Sequence, residues 1–453
     1  MLGHGIGGPE DLPLPLGWVL LGSAAALVIS FGALGLLWRE PRLRGAAAGR
    51  PLPFALTRAL DGAALRSAAA GFGLLLTGWT LLALFFGADN ALNPSAHLVY
   101  VLGWVGLAPA SVLLGPLWRQ LNPLRRLHSG ISRLARLDPA QGVLPLPVRL
   151  GWWPAAAGIL AFSWLELVYP EPTSLLTLRL ALGLFAAGQL LGALAYGSGW
   201  FDRADPLEAW STLFGRFSLL GRRDDGVLVL RSPLDGLAGL PVAPGLVATV
   251  VVMLGSTSYD GVSAWPGWVR LEQSAPLPRP LIGTLGLLGT IAVVGGLYLG
   301  ATWLAGRLGG RLGGRLGGGG RDNGGDELDP AAMPAEFAHT LLPVALGYLV
   351  AHYYSLLAYQ GPRGIALLSD PLGIGANWLG SGGLVPNPAL ISPGLVTDVQ
   401  VLAIVAGHLC GVILAHDRAV RLFDRRTALI GQLPLLLLMM TLTSVGLLLL
   451  FGG

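Results

Sequence analysis

The segment Pro334–Gln360, PAEFAHTLLPVALGYLVAHYYSLLAYQ, decides how the chain is read. As a helix it is long and apolar enough to cross the roughly 30 Å hydrocarbon layer of a bilayer. It also carries His339 and His352, and ionisable groups at membrane depth are costly enough to pose a functional question. A second apolar stretch, Val396–Val420 (VTDVQVLAIVAGHLCGVILAHDRAV), carries His408 and His416, so these two segments hold most of the chain's 7 histidines.

The remainder of the chain has the same character. It has 453 residues, of which 53% are hydrophobic and 12% charged. A soluble domain would be about 25% charged, so composition selects the membrane class, as does a mean hydropathy of +0.64. The net charge of +4 comes from arginine alone, with no lysine. These arginines gather in alternate loops, which is a topology signal and makes a nucleic-acid partner unnecessary. Lysine-free, Ala/Gly/Leu/Arg-rich composition fits a GC-rich bacterial genome. The single cysteine, Cys410, excludes an intrachain disulfide framework and cysteine-based zinc or iron–sulfur sites. No arginine precedes the first apolar run, so that run reads as a retained helix and not as a cleaved signal peptide.

A span needs roughly 20 apolar residues, and on that criterion there are about ten: roughly 15–38, 67–87, 97–118, 151–170, 174–198, 244–264, 280–305, 334–360, 395–416 and 427–451. The loops after odd-numbered spans hold the arginine clusters; those after even spans hold few, such as Arg270, Arg279 and Arg363. With the arginine-rich loops inside, both termini face outward. The expected fold is all-α: a polytopic integral membrane helical bundle forming a single transmembrane domain over 1–453, in a bacterial plasma (inner) membrane. Residues 199–242 read as a cytoplasmic loop segment, in which DRADPLEAWSTLFGRF can form one interfacial amphipathic helix. Residues 306–330, with their repeated Arg-Leu-Gly-Gly, read as a flexible cytoplasmic linker. Small residues in GTLGLLGTIAVVGGLYLG predict a face where helices approach closely. Pro343 and Pro434 are expected to kink their helices.

Given this topology, Glu166, Asp260 and His352 fall at a common depth on three helices, with His408 deeper, near the middle of its span. Asp398 and His97 open spans at the outer surface. Tyr348, Ser355 and Tyr359 share a helical face with His352. Carboxylates and imidazoles within lipid face the bundle interior and find partners, so Glu166, Asp260, His352 and His408 form a candidate outward-opening cluster. Each also has a plain reading as a satisfied interior or helix-end residue, and His416 with Asp417 reads as interfacial.

Such a cluster suits three chemistries. His352, His408 and Asp260 are candidate ligands for a divalent metal such as zinc, with Glu166 or Asp260 as catalytic carboxylate. The same groups can relay protons or bind a solute in a transporter. Paired histidines can hold a b-type haem, for which His339 and His416 fit better than His352 and His408. HExxH, P-loop, GxSxG and CxxCH patterns are absent.

The opening GHGIGGPEDLPLPLG, LGSTSYDG, HTLLPVALGYLVAHYYSLL, SDPLGIGANWLG and the pair GH…AHDRA resemble a bacterial multipass membrane family, common in actinobacteria, known as fenitrothion hydrolase. The resemblance spans most of the chain. It implies hydrolysis of a lipophilic organophosphate triester, water attacking phosphorus and a phenol leaving, with the substrate arriving from the membrane lipid. A small-solute or proton-coupled transporter and a non-enzymatic subunit of a membrane complex are the alternatives from other classes.

Overall fold

The computed structural model describes Leu12, residues 14–315 and residues 329–452. Ten principal helices follow one another: α1 (Leu16–Leu37), α2 (Ala63–Phe86), α3 (His97–Leu114, opening as a π-helix over His97–Val105), α4 (Trp153–Leu167) and α5 (Leu175–Tyr196). Then come α6 (Leu246–Ala264), α7 (Arg279–Arg315), α8 (Leu341–Leu367), α9 (Pro393–Leu422) and α10 (Leu433–Phe451). Each coincides with one expected span. Among the described residues, 9 segments are long and apolar enough to cross a membrane. The exception is α4, whose 15 residues reach only about 22 Å. The chain is a multipass, all-helical membrane protein.

Where one membrane domain was expected, long-range contacts divide the chain into two compact units. The first comprises Met1–Ala48, Leu234–Tyr354 and Ser392–Gly453; the second comprises Gly49–Pro233 and Ser355–Ile391. The first holds α1, α6, α7, α9, α10 and the first half of α8. Its innermost helix is α6, 72% of whose apolar window is enclosed by protein. Glycine lets the helices close in: a methyl on Gly255 would stand 2.8 Å from Ile291 Cα of α7. The crossing of α8 and α9 is tighter still. A methyl on Gly407 would meet Pro343 O at 2.5 Å, and one on Gly347 would meet Ala403 O at 2.5 Å. Without a hydrophobic drive between helices in lipid, such contacts are what associates them. On α7, Gly295 faces Val251 of α6, whereas Gly289, Gly296 and Gly300 have open space, so only part of its small-residue face is used.

Three expectations are corrected. Pro343 and Pro434 both sit in the first turn of their helices, where the missing N–H has no intrahelical partner to lose. They mark breaks instead: α8 is preceded by the short helix Met333–Phe337 and a 3-10 turn, and α10 by the helix Arg425–Gly431. The proline inside α8 is Pro362. Second, the Gly/Arg-rich region begins as helix: α7 continues to Arg315, with Gly309 against the Phe423 ring and Gly306 against Met333. Residues 316–328 of that region, and the N-terminal GHGIGGPED stretch, lie outside the described residues.

Third, residues 199–233 are structured within the second unit. The amphipathic stretch splits at Asp205 into Phe201–Ala204 and Pro206–Phe214, and the latter buries Glu208, Trp210, Leu213 and Phe214 instead of lying at an interface. The split is local chemistry, since Asp205 caps the second helix by accepting from Leu207 N and Glu208 N, with Pro206 following it. A small antiparallel sheet completes this region, ordered β1 (Arg50–Pro51), β3 (Leu228–Leu230), β2 (Leu220–Arg222), with Arg50 opposite Leu230 and Gly221 opposite Val229.

Candidate functional site

Within the first unit, α6 supplies Asp260 and α8 supplies His352 and Tyr353. His352 Nε2 lies 2.8 Å from Asp260 Oδ2. Tyr353 Oη donates to the same oxygen at 2.8 Å. Asp260 is 3% exposed, and His352 and Tyr353 stack edge to face at 5.0 Å. The other polar residues of GSTSYDG are satisfied locally: Ser256 and Thr257 donate to Met253 O, and Ser258 to Leu254 O. Tyr259 packs edge to face on Trp268 of the short helix Pro266–Ser274, and Asp260 is the residue of that motif that reaches α8. His352 stands well inside α8, which runs on to Leu367, about 22 Å beyond it. The sequence reading had placed it nearer the helix end.

His408, fully buried on α9, donates Nδ1–H to Ile404 O at 2.8 Å. A carbonyl can only accept, so the tautomer is fixed, and Nε2 is left buried without a hydrogen-bond partner among the described residues. The His408 ring lies 6.0 Å from that of Tyr348, one helical turn before His352 on the same face of α8. Tyr348 Oη in turn donates to Leu442 O, in space that Gly446 leaves open.

Not all of the candidate cluster assembles. Among the described residues, no three His, Cys, Asp or Glu side chains are grouped so as to hold a metal ion. Of the expected ligands, Asp260 and His352 come together as a pair, and His408 does not join them in such a group. Glu166, half-buried on α4 in electrostatic reach of Tyr100, belongs to the second unit. In that unit His97 is buried, with Nε2 3.2 Å from Gln360 Oε1. Asp398 is exposed on α9.

His416 and Asp417 are buried within the protein. His416 Nδ1 lies 3.1 Å from Gln432 Oε1 and Nε2 2.9 Å from Trp38 O. With both ring nitrogens engaged, this histidine does not fit haem ligation beside His339. Asp417 Oδ1 accepts from Trp38 Nε1, Arg42 N and Leu43 N at 3.2, 2.7 and 3.1 Å, while Oδ2 accepts from Arg421 Nε at 3.2 Å. Together the two residues pin the turn that follows α1.

Sequence reasoning missed a charged network in the second unit. Asn122 and Asp205, each the cap of a helix that opens with proline, meet through Asn122 Nδ2 and Asp205 Oδ2 at 2.8 Å. Arg125 bonds Glu208 at 2.7 Å and Asp202 at 3.1 Å. Burial pushes the Glu208 carboxyl up to about 7, opposed by the Arg125 guanidinium and reinforced by Asp202 and Asp205. The legible signal was the pair of cap-proline steps, Asn122-Pro123 and Asp205-Pro206.

No protein-family model, curated protein or solved structure matches the chain.

Proposed function

We propose that the chain is a membrane carrier, in a bacterial plasma membrane, that takes up and releases a proton at Asp260–His352 as a small solute crosses. One observation carries this reading: a carboxylate and an imidazole 2.8 Å apart, buried on two membrane helices. Such a pair titrates as a unit. Sharing one proton too few, it bears a full negative charge; with that proton, it is neutral as a couple. In a medium of low dielectric that difference is large enough to bias which helix arrangement is stable. Tyr353 steadies the carboxylate oxygen that faces His352. Tyr348, one turn before His352 on α8, packs beside His408 of α9, whose Nε2 has no hydrogen-bond partner among the described residues and offers a next station for a proton carried by water.

The test is infrared difference spectroscopy of the reconstituted protein during a pH step. An infrared change on acidification that reports protonation of the couple, in imidazolium ring modes and the carboxylate stretches, and that vanishes in Asp260→Asn is the expected result. Unchanged spectra in that variant would remove the proton-handling role. Solute-driven proton uptake into proteoliposomes, lost in the same variant, then identifies the cargo.

A second reading is hydrolysis of a lipophilic phosphotriester, the reaction the resemblance implies. An imidazole held by a buried carboxylate is the arrangement that lets histidine act as general base on water, and His352 with Asp260 has that form. A divalent metal such as zinc would find Asp260 and His352 as two ligands and needs a third. Phenol release from a chromogenic triester, together with metal content in wild type and His352→Ala, tests this reading. Its expected signature is turnover that the variant abolishes.

A further inference from the structure

The first unit contains a second polar feature that the proton site does not use. Beside the turn leading into α8, a cavity of about 220 Å³ is walled by Arg44, Arg418, Arg421, His339, Asp417 and the backbone around Gly45. Three guanidiniums meet here with three nearby carboxylates, Asp417, Glu336 and Asp235. Arg421 is bonded to Asp417 and Arg418 to Glu336. Among the described residues the exposed Arg44 side chain has no ion-pair partner, and Arg418 Nε, shut off from solvent, has no acceptor. His339 is buried and its ring forms no hydrogen bond among the described residues, although Asp417 and Arg421 lie within electrostatic reach.

The backbone adds to this. Arg44 has φ −91° and ψ −5°, and Gly45 has φ +60°. A right-handed residue followed by a left-handed one turns successive N–H groups to one side, a concavity that accepts anions. One of these donors already holds a carboxylate: Arg44 N–H donates to Asp235 Oδ1 at 2.7 Å. Gly45 is needed there, because a side chain at that φ is strained.

We propose that this cavity binds the oxyanion of a phosphate group, either free inorganic phosphate or the phosphate of an anionic lipid headgroup. Guanidinium forks match the paired oxygens of a tetrahedral phosphate, and unlike an ammonium they hold it in a fixed orientation. At roughly 30 Å³ per water the volume takes a phosphate with a few waters. These arginines lie in or beside loops that the positive-inside rule assigns to the cytoplasmic side, where anionic headgroups gather.

The experiment uses the full-length protein in detergent and in nanodiscs. Thermal stabilisation by inorganic phosphate is titrated for wild type, Arg44→Gln and Arg418→Gln. In parallel, native mass spectrometry compares retention of phosphatidylglycerol with that of phosphatidylcholine. Arg44 is exposed, so its variant should fold even if Arg418→Gln does not. Binding at least tenfold weaker in Arg44→Gln is the expected result. A response to inorganic phosphate identifies a free anion as ligand, and selective retention of phosphatidylglycerol identifies a headgroup. No response to either probe, or equal binding in wild type and Arg44→Gln, would overturn the proposal. The Asp260→Asn spectra are unaffected by either outcome, so the two readings stand or fall separately.

Discussion

Asp260 Oδ2 is shared: His352 Nε2 and Tyr353 Oη both lie 2.8 Å from it. The two partners are consecutive residues of α8, and Asp260 lies next to last in the buried stretch of α6, so a single carboxylate oxygen ties two membrane helices together.

Tyr353→Phe removes one donor to that oxygen. A hydrogen bond to a charged group contributes about 1.5–3 kcal/mol, and a loss of that size is expected. Asp260→Ala removes the acceptor that both partners use and should cost about 3–5 kcal/mol, as breaking buried pairs does. In the double variant the two losses should not add. Unfolding in mild detergent, run as a double-mutant cycle, measures the coupling, and full additivity would count against the shared oxygen.

Gly407→Ala should destabilise by about 1–3 kcal/mol, the usual cost of forcing extra volume into a packed contact. Its methyl has only backbone to meet, at Pro343 O, and backbone cannot swing away. Gly296→Ala on α7, which faces open space, is the control and should leave the melting temperature unchanged.

Glu208 predicts a pH dependence of the second unit. Its folded carboxyl titrates near 7, above the ordinary 4.5, so the folded state holds the proton more tightly. The stabilisation is fully present below about 4.5 and is lost as pH rises through 7, at about 1.4 kcal/mol per pKa unit. The melting temperature should therefore fall between pH 5 and pH 8, and Glu208→Gln should flatten that slope. An equal slope in the variant would assign the dependence to another group.

Asp417→Ala should free the turn after α1. Amide hydrogen exchange at Arg42 and Leu43, whose N–H groups the carboxylate accepts, should accelerate at least tenfold, while Asp398→Ala on the exposed face should not change it. Unaltered exchange in Asp417→Ala would mean that the His416 bonds alone hold the turn.

The amino-acid sequence by itself determined the membrane class, the positions of the helices and which polar residues lie within them. Runs of about 20 apolar residues have one stable outcome in lipid, since helices satisfy their own backbone. Cap chemistry was also readable, at Asn122-Pro123 and Asp205-Pro206. Proline was read less well: Pro343 and Pro434 look alike inside an apolar run, and only the observed helix starts reveal first-turn positions. The Arg-Leu-Gly-Gly repeat was misjudged over its first turns because its glycines, loose in isolation, become contact points against Phe423 and Met333.

Only the tertiary structure decided which polar groups meet. Asp260 and Tyr353 are 93 residues apart, and nothing in either apolar run records its neighbour. In lipid the choice of neighbour is made by close fit at small residues such as Gly255, Gly347 and Gly407, together with the few hydrogen bonds that cross between helices. The same packing joined His352 to Asp260, left His408 Nε2 without a partner among the described residues, and put Glu166 in a separate unit. Composition gives each residue its depth along a helix, and the fit between helices gives it its partner.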